Sequence, residues 1–379
     1  MKTLKKKILI ACDSFKGYFT SEEANSIIKK EIEDRGNYEV YTIALGDGGE
    51  GTLSALENII DANAIEIETY NALMKNITAK VLVDGTNGYI EVANIIGITM
   101  TPISMFEKTT TYGVGIVIKK MYELGVRNFT ICLGGTSTND LGLGILEAMG
   151  GSIYFDDCLI ENVTSSNLNH IVNINLNNII QRYKDISFTL LCDVKNPTYG
   201  ENGCTMIYAK QKGAKVEKLK QYDESVKNAV NKLNDVTNKN TAFLEGSGAA
   251  GGIACMLMSL FNTSIESGIE YMLNVANFSS LVIESDIVIT GEGSIDEQSL
   301  SGKFITGILD LAKKSEKDCY AIGGIVIANK SNLINQGWKD IVNTCDFHDE
   351  NLDLHEDKIE RLQEATRYLI KEWDYDKYI

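Results

Sequence analysis

The residues best suited to chemistry in this chain stand in short polar runs, most of which follow an apolar stretch. Asp13, Ser14 and Lys16 follow the run 8–12, and Asp47 and Glu50 stand among the glycines of 46–52. The stretch Gly134, Gly135, Thr136, Ser137, Thr138, Asn139, Asp140 follows 129–133. Asp193 and Asn196 follow 188–192, and Lys212 lies between Gln211 and Gly213. Glu292, Ser294 and Asp296 follow 286–290, with Lys303 after Gly302. Carboxylates, lysines and glycine loops in this combination suit phosphoryl transfer, whose transition state needs positioning and charge neutralisation more than covalent help. Magnesium binds hard oxygens, usually one or two carboxylates with phosphate oxygens. Lysines and loop N–H groups neutralise developing charge, and a further carboxylate can accept the proton of an attacking hydroxyl.

The 134–140 run is the centre of this reading. A buried strand, a glycine loop and a helix with apolar positions Ile145, Leu146 and Met149 present backbone N–H groups to an anion. A capped turn needs one polar side chain, and this loop carries five in succession. Bland readings exist elsewhere: Asp13 and Asp47 also suit helix caps, Asp193 a turn, and Lys16 a solvated surface. Lys303 follows a helix start, where the dipole disfavours a cation, so an anionic partner suits it better.

Net charge is −16, from 36 basic and 52 acidic side chains, which argues against nucleic acid or an anionic membrane surface as partner. The first apolar run, 8–12, is too short for a signal core or a membrane span, so a cytoplasmic location is expected. Eight scattered cysteines form no CxxC pair, and Cys132, Cys192 and Cys255 read as reduced core residues. The only histidines, His170, His348 and His355, lie in polar surroundings, which disfavours zinc or histidine-based catalysis.

The elements that must position these residues alternate. Residues 7–12 form a strand, Thr20 and Glu23 a capping box for a helix to about 34, and 40–45 a second strand before a helix to about 60. Residues 64–70, 78–83 and 88–93 read as antiparallel strands. A helix over 112–124, capped within 109–111, leads into 129–133. A strand at 188–192, a helix over 216–233, a helix from the 246–252 run to about 260, and strand–helix–strand units after 285 complete the chain. The fold class is α/β with two domains: a doubly wound, Rossmann-like parallel sheet from 1–62 plus 285–379, and an inserted mixed α/β domain, 63–284. Gly246-Ser247-Gly248-Ala249-Ala250-Gly251 matches a dinucleotide fingerprint, which defines an oxidoreductase alternative, but the residues before it do not read as the required strand. No P-loop and no protein-kinase motif set is present.

The loops 13–17 (DSFKG), 46–52 (GDGGEGT), 133–140 (LGGTSTND), 192–197 (CDVKNP), 211–214 (QKGA), 246–252 (GSGAAGG) and 291–303 (GEGSIDEQSLSGK) together resemble the type I glycerate kinases. That resemblance implies ATP-dependent phosphorylation of D-glycerate to 2-phosphoglycerate, with Mg2+, in a cleft between two α/β domains. It implies small-molecule substrates and no nucleic-acid or membrane partner, and we expect a monomer or homodimer. On it, Asp193 or Asp296 acts as base with Lys16 in the catalytic set. Asp13, Ser14, Asn196, Ser294 and Lys303 bind substrate; Gly134, Gly135, Thr136, Ser137, Asn139 and Lys212 bind nucleotide phosphate. Asp47, Glu50 and Glu292 serve magnesium. The pattern departs at Ser294, where the family usually has arginine, at Leu141, where it has glycine, at Thr136-Ser137, where it has serine-alanine, and at Cys12, where it has proline. Loss of a rigid two-pronged carboxylate binder at Ser294 would make a kinase of another small hydroxy acid the alternative substrate reading.

Overall fold

The computed structural model describes residues 5–15, 18–156, 158–296, 303–347 and 354–375. In chain order the strands are β1 (Lys6–Cys12), β2 (Tyr38–Thr42), β3 (Asn63–Tyr70), β4 (Asn76–Asp84), β5 (Asn87–Glu91), β6 (Asn128–Cys132) and β7 (Ser152–Phe155). They continue with β8 (Cys158–Leu159), β9 (Asn173–Asn175), β10 (Ser187–Leu191), β11 (Asn262–Glu266), β12 (Ile287–Ile295), β13 (Asp318–Val326) and β14 (Asp340–Asn343). The chain divides into two compact units: 1–47 with 54–60 and 269–379, and 48–53 with 61–268. Residues 269–284, expected within the insertion, group with the chain-end unit, and 48–53 group with the other.

The first unit is a parallel sheet in the order β14-β13-β12-β1-β2. Its central strands β1, β12 and β13 are buried over consecutive residues because helices cover both faces. Ile8, Ile10 and Cys12 of β1 pack with Ala24, Ile28 and Ile32 of helix Ser21–Arg35, and with Leu362, Ala365 and Leu369 of helix Leu354–Tyr375. Each such buried aliphatic side chain contributes about 1.5–3 kcal/mol. The capping box forms as expected: Glu23 N–H donates to Thr20 Oγ1 (3.1 Å) and Thr20 N–H to Glu23 Oε2 (2.8 Å). The chain leaves β1 toward β2 on one side and β12 toward β13 on the other, so β1 and β12 flank the point where the strand order reverses. A right-handed crossover from each strand puts the two following helices on opposite faces and opens a crevice at the strands' carboxyl ends.

The second unit is a six-stranded sheet, β11-β10-β6-β5-β4-β3. The strands predicted over 64–70, 78–83 and 88–93 do form an antiparallel meander, but β5 also pairs in parallel with β6, which makes the sheet mixed. β6, β10 and β11 run parallel to β5. A small antiparallel sheet, β8-β7-β9, lies outside the predicted strands. Among the described residues no helix is long and apolar enough to cross a membrane.

Candidate active site

In the second unit the carboxyl ends of β5, β6 and β10 lie in register: Glu91 and Leu191 both face Cys132 across neighbouring ladders. From β6 the chain passes through Leu133 into the glycine loop. Gly134 N–H donates to the Gly48 carbonyl (3.0 Å). A Cβ on Gly134 would stand 2.6 Å from Gly49 Cα, so a side chain there would force the two loops apart. Ser137 donates both its N–H and its hydroxyl to the Ile96 carbonyl (2.9 Å each). Asn139 N–H donates to Ser165 Oγ (3.2 Å) and its amide to Thr205 Oγ1 (3.1 Å). The N–H of Gly134 and the side chains of Ser137 and Asn139, expected to face a phosphate, therefore hold the loop together. Buried polar groups must find partners, and these find them in the protein. Within the stretch, Gly135 and Thr136 remain as the phosphate-facing candidates.

Lys212 points at that same loop. It follows helix Cys204–Tyr208, in a turn that Gly213 closes at φ 102°. A Cβ on Gly213 would lie 1.8 Å from the Ile103 carbonyl, so only glycine allows the turn. Lys212 is 6% exposed, and its Nζ donates to Thr136 Oγ1 (3.2 Å) and the Thr138 carbonyl (2.8 Å). Among the described residues it makes no ion pair. Burial pushes its pKa down to about 8, against the opposing pull of Cys204 and Asp140. The ammonium's hydrogen-bond acceptors are neutral, so no carboxylate pairs with it directly. An anion at the glycine loop would supply that pairing.

Asp140 has a different task. It is fully buried and accepts from Thr111 N–H and Thr111 Oγ1 (2.8 Å each), Gly142 N–H (3.2 Å) and Gly144 N–H (3.4 Å). Burial raises its pKa and these bonds oppose the rise. Within the predicted 109–111 cap Thr110 Oγ1 accepts from Tyr112 N–H (3.3 Å), and the Asp140 carboxylate holds Thr111, the residue before helix Tyr112–Glu123. It also delays the following helix to Leu143, past Leu141 and Gly142 in left-handed backbone (φ 57° and 70°).

After β10, Asp193 is half-buried, one strand away from the glycine loop. Asn196, expected to bind substrate, has its amide tied inside its own loop: it donates to the Asn202 carbonyl (2.9 Å) and accepts from Tyr208 OH (2.6 Å). The 246–252 glycines serve close approach. A Cβ on Gly248 would lie 2.3 Å from the Pro197 carbonyl, and one on Gly251 2.3 Å from the Thr138 carbonyl. No strand precedes Gly246, and helix Ala249–Leu260 opens with left-handed backbone at Ala250, Gly251 and Gly252. A dinucleotide site needs a strand and a regular helix N-terminus there, so the fingerprint and the oxidoreductase alternative are overturned.

In the first unit, Asp13 follows the last residue of β1 and Glu292 stands beside it within β12, which runs on past the end of β1 to Ile295. Cys12 pairs with Gly291, and Asp13 N–H donates to the Gly291 carbonyl (2.8 Å). Ser14 N–H turns back onto Asp13 Oδ1 (2.7 Å). Glu292 faces Gly323, exposed Ser294 faces Ile325, and Asp296 lies just past β12. The fold thus brings Asp13, Ser14, Glu292, Ser294 and Asp296 to one rim. Asp47 lies beyond β2, and exposed Glu50 belongs to the second unit. Lys16 lies outside the described residues. Lys303 opens helix Lys303–Lys314, with its side chain outside them too. Among the described residues no three metal-ligating side chains converge. Paired carboxylates at a strand-end crevice fit a magnesium site that phosphate oxygens and water complete.

Sequence reasoning missed Glu91, which is 2% exposed at the end of β5. The signal was a carboxylate at 91 closing an apolar run and followed at once by Val92 and Ala93.

Residues 8–374 match the model of the glycerate kinase family. The chain belongs to the glycerate kinase family. Its relatives include the glycerate kinase of Bacillus cereus, 32% identical over 87% of this chain and 88% of that one. The glycerate kinase of Haemophilus influenzae is 33% identical over 84% and 85%, and the glycerate 2-kinase of Escherichia coli 30% over 84% and 85%. The crystal structure of a candidate glycerate kinase 2 from Salmonella typhimurium LT2 has the same fold, with TM-score 0.83 over 99% of this chain and 100% of that one, at 24% identity. This member is accordingly a kinase, a phosphotransferase with an alcohol acceptor.

Proposed function

We propose that this chain transfers the γ-phosphoryl group of ATP to the 2-hydroxyl of D-glycerate, giving 2-phosphoglycerate. The observation that carries the reading is the buried Lys212 ammonium, held against Thr136 and Thr138 by neutral acceptors only. A triphosphate supplies a directly paired counter-charge, and the ammonium in turn stabilises the charge that develops on the transferred group. Gly135 and Thr136 position the phosphates beside it. Asp193 accepts the proton of the attacking hydroxyl, because it follows the strand next to the one that leads into the glycine loop. Asp296 and Ser14, at the β1–β12 rim, orient the organic acid. Glu292 and Asp47 of the first unit would hold magnesium, which would add charge neutralisation on phosphate oxygens.

The test is ADP release with Mg-ATP and a panel of small hydroxy acids, D-glycerate first, with phosphorus NMR of the product. Turnover of D-glycerate to the 2-phosphate supports the reading in full. Activity confined to another hydroxy acid keeps the kinase chemistry and makes exposed Ser294, which replaces an expected arginine, a specificity position. No ADP release with any acid refutes it.

A further inference from the structure

The buried carboxylate of Glu91 bonds two backbone N–H groups where the 48–51 loop runs into the first turn of helix Thr52–Glu57. Its Oε1 accepts from Gly51 (3.1 Å) and its Oε2 from Leu53 (2.9 Å). The loop is closed on itself by Gly48 N–H to Thr52 Oγ1 (3.1 Å) and Thr52 N–H to the Gly49 carbonyl (3.3 Å). Gly48, at φ 88°, is wedged against the end of β10, where a Cβ would lie 3.1 Å from the Leu191 carbonyl. On its other side the Gly48 carbonyl receives Gly134 N–H, the first donor of the phosphate loop. One chain of contacts therefore runs from Glu91 through 48–53 to Gly134, all within the second unit.

We infer that Glu91 is a positioning residue for phosphoryl transfer: it fixes the 48–53 loop so that the Gly48 carbonyl holds Gly134, and with it the loop facing Lys212, in one place. Charge-assisted bonds from a carboxylate are stronger than neutral ones, and this carboxylate is anchored on a central strand. Loop N–H groups left to water would let the 48–53 segment move, and a small displacement at a reacting centre is costly in rate. Gly48 has the same explanation, since a Cβ there would lie 3.1 Å from the Leu191 carbonyl. The inference rests on the phosphate reading of the 134–140 loop, whose failure would show in the unsubstituted enzyme.

The test compares wild type with Glu91→Gln, which keeps the shape but exchanges one acceptor for a donor that faces an N–H group. Amide exchange should quicken by about tenfold or more at Gly51 or Leu53 and also at Gly134. With D-glycerate and ATP, kcat should fall by about thirtyfold while both KM values stay within about threefold. Glu91→Asp, with both acceptors on a shorter arm, should show a smaller version of the same pattern, and it carries the test if the glutamine variant does not fold. Faster exchange at 51 and 53 with Gly134 unchanged would overturn the inference, as would an unchanged kcat. An enzyme that turns over no acid sinks the phosphotransfer reading, and the exchange at Gly134 still decides whether Glu91 carries the loop.

Discussion

Replacing Lys212 by methionine removes a charge and keeps a side chain of similar length. In the folded, ligand-free protein burial lowers this lysine from its ordinary 10.5 to about 8. At about 1.36 kcal/mol per unit, that drop disfavours the charged form by about 3 kcal/mol. Below pH 8 folded and unfolded chains both hold the proton, and the whole cost stands. Between about 8 and 10.5 the unfolded chain keeps a proton that the folded chain has released, so stability rises with pH across that window. Methionine has no such titration. In urea unfolding, the difference between wild type and Lys212→Met should therefore shift by about 3 kcal/mol in favour of wild type between about pH 7.5 and 10.5. At the lower pH the variant should be the more stable, less about 1 kcal/mol for each of the two acceptors, at Thr136 and Thr138, that loses its donor. ATP should reverse the ranking: a bound phosphate stabilises the charged lysine, so saturating nucleotide should protect wild type and leave the variant nearly unprotected. A difference that stays flat with pH would refute the unneutralised buried ammonium. Equal protection of both proteins by ATP would remove the loop from phosphate binding.

Three further outcomes follow from the geometry. Asp193→Asn should lower kcat by about a hundredfold or more with ATP affinity kept, and Asp296→Asn should act chiefly on the KM for the acid; the opposite pattern in steady-state kinetics would exchange their roles. Gly213→Ala should destabilise by about 3 kcal/mol or more, because its Cβ would lie 1.8 Å from a carbonyl in left-handed backbone; a melting temperature near that of wild type would show that the turn can relax. Leu141→Gly should relieve about 1 kcal/mol of left-handed strain and lose about 3 kcal/mol of burial, for a net loss of about 2 kcal/mol. A variant more stable than wild type in urea would mean that the strain outweighs the packing.

Much of the fold was legible because local signals agreed with the final contacts. The apolar run of β1 and the Thr20–Glu23 capping box each depend on neighbours in sequence, and each appears where expected, whereas β12 runs on through Gly291 and Gly293 to Ile295. The positions of Asp13 and Asp193 just past strand ends followed from the same alternation, since a polar residue after a buried strand marks a carboxyl end, whereas Glu292 lies inside β12. The family was also legible, because seven loops in order are a linear property.

Side-chain direction was not legible. Asp140, Ser137 and Asn139 have the types of a phosphate loop, yet their partners are Thr111, Ile96 and Thr205, distant in sequence or on other loops. The 246–252 run carries the letters of a dinucleotide fingerprint, and its glycines are needed because Pro197 and Thr138 carbonyls press against them. Glu91 gave only a faint signal at the end of its strand, because its role is set by two N–H groups some forty residues earlier in the chain. The sequence by itself determined which residues could do chemistry and the order in which strands present them, because propensity, patterning and turn chemistry are local. The tertiary structure alone decided which of them face an open site and which hold it in shape, because each buried polar group takes the partner that folding brings within reach.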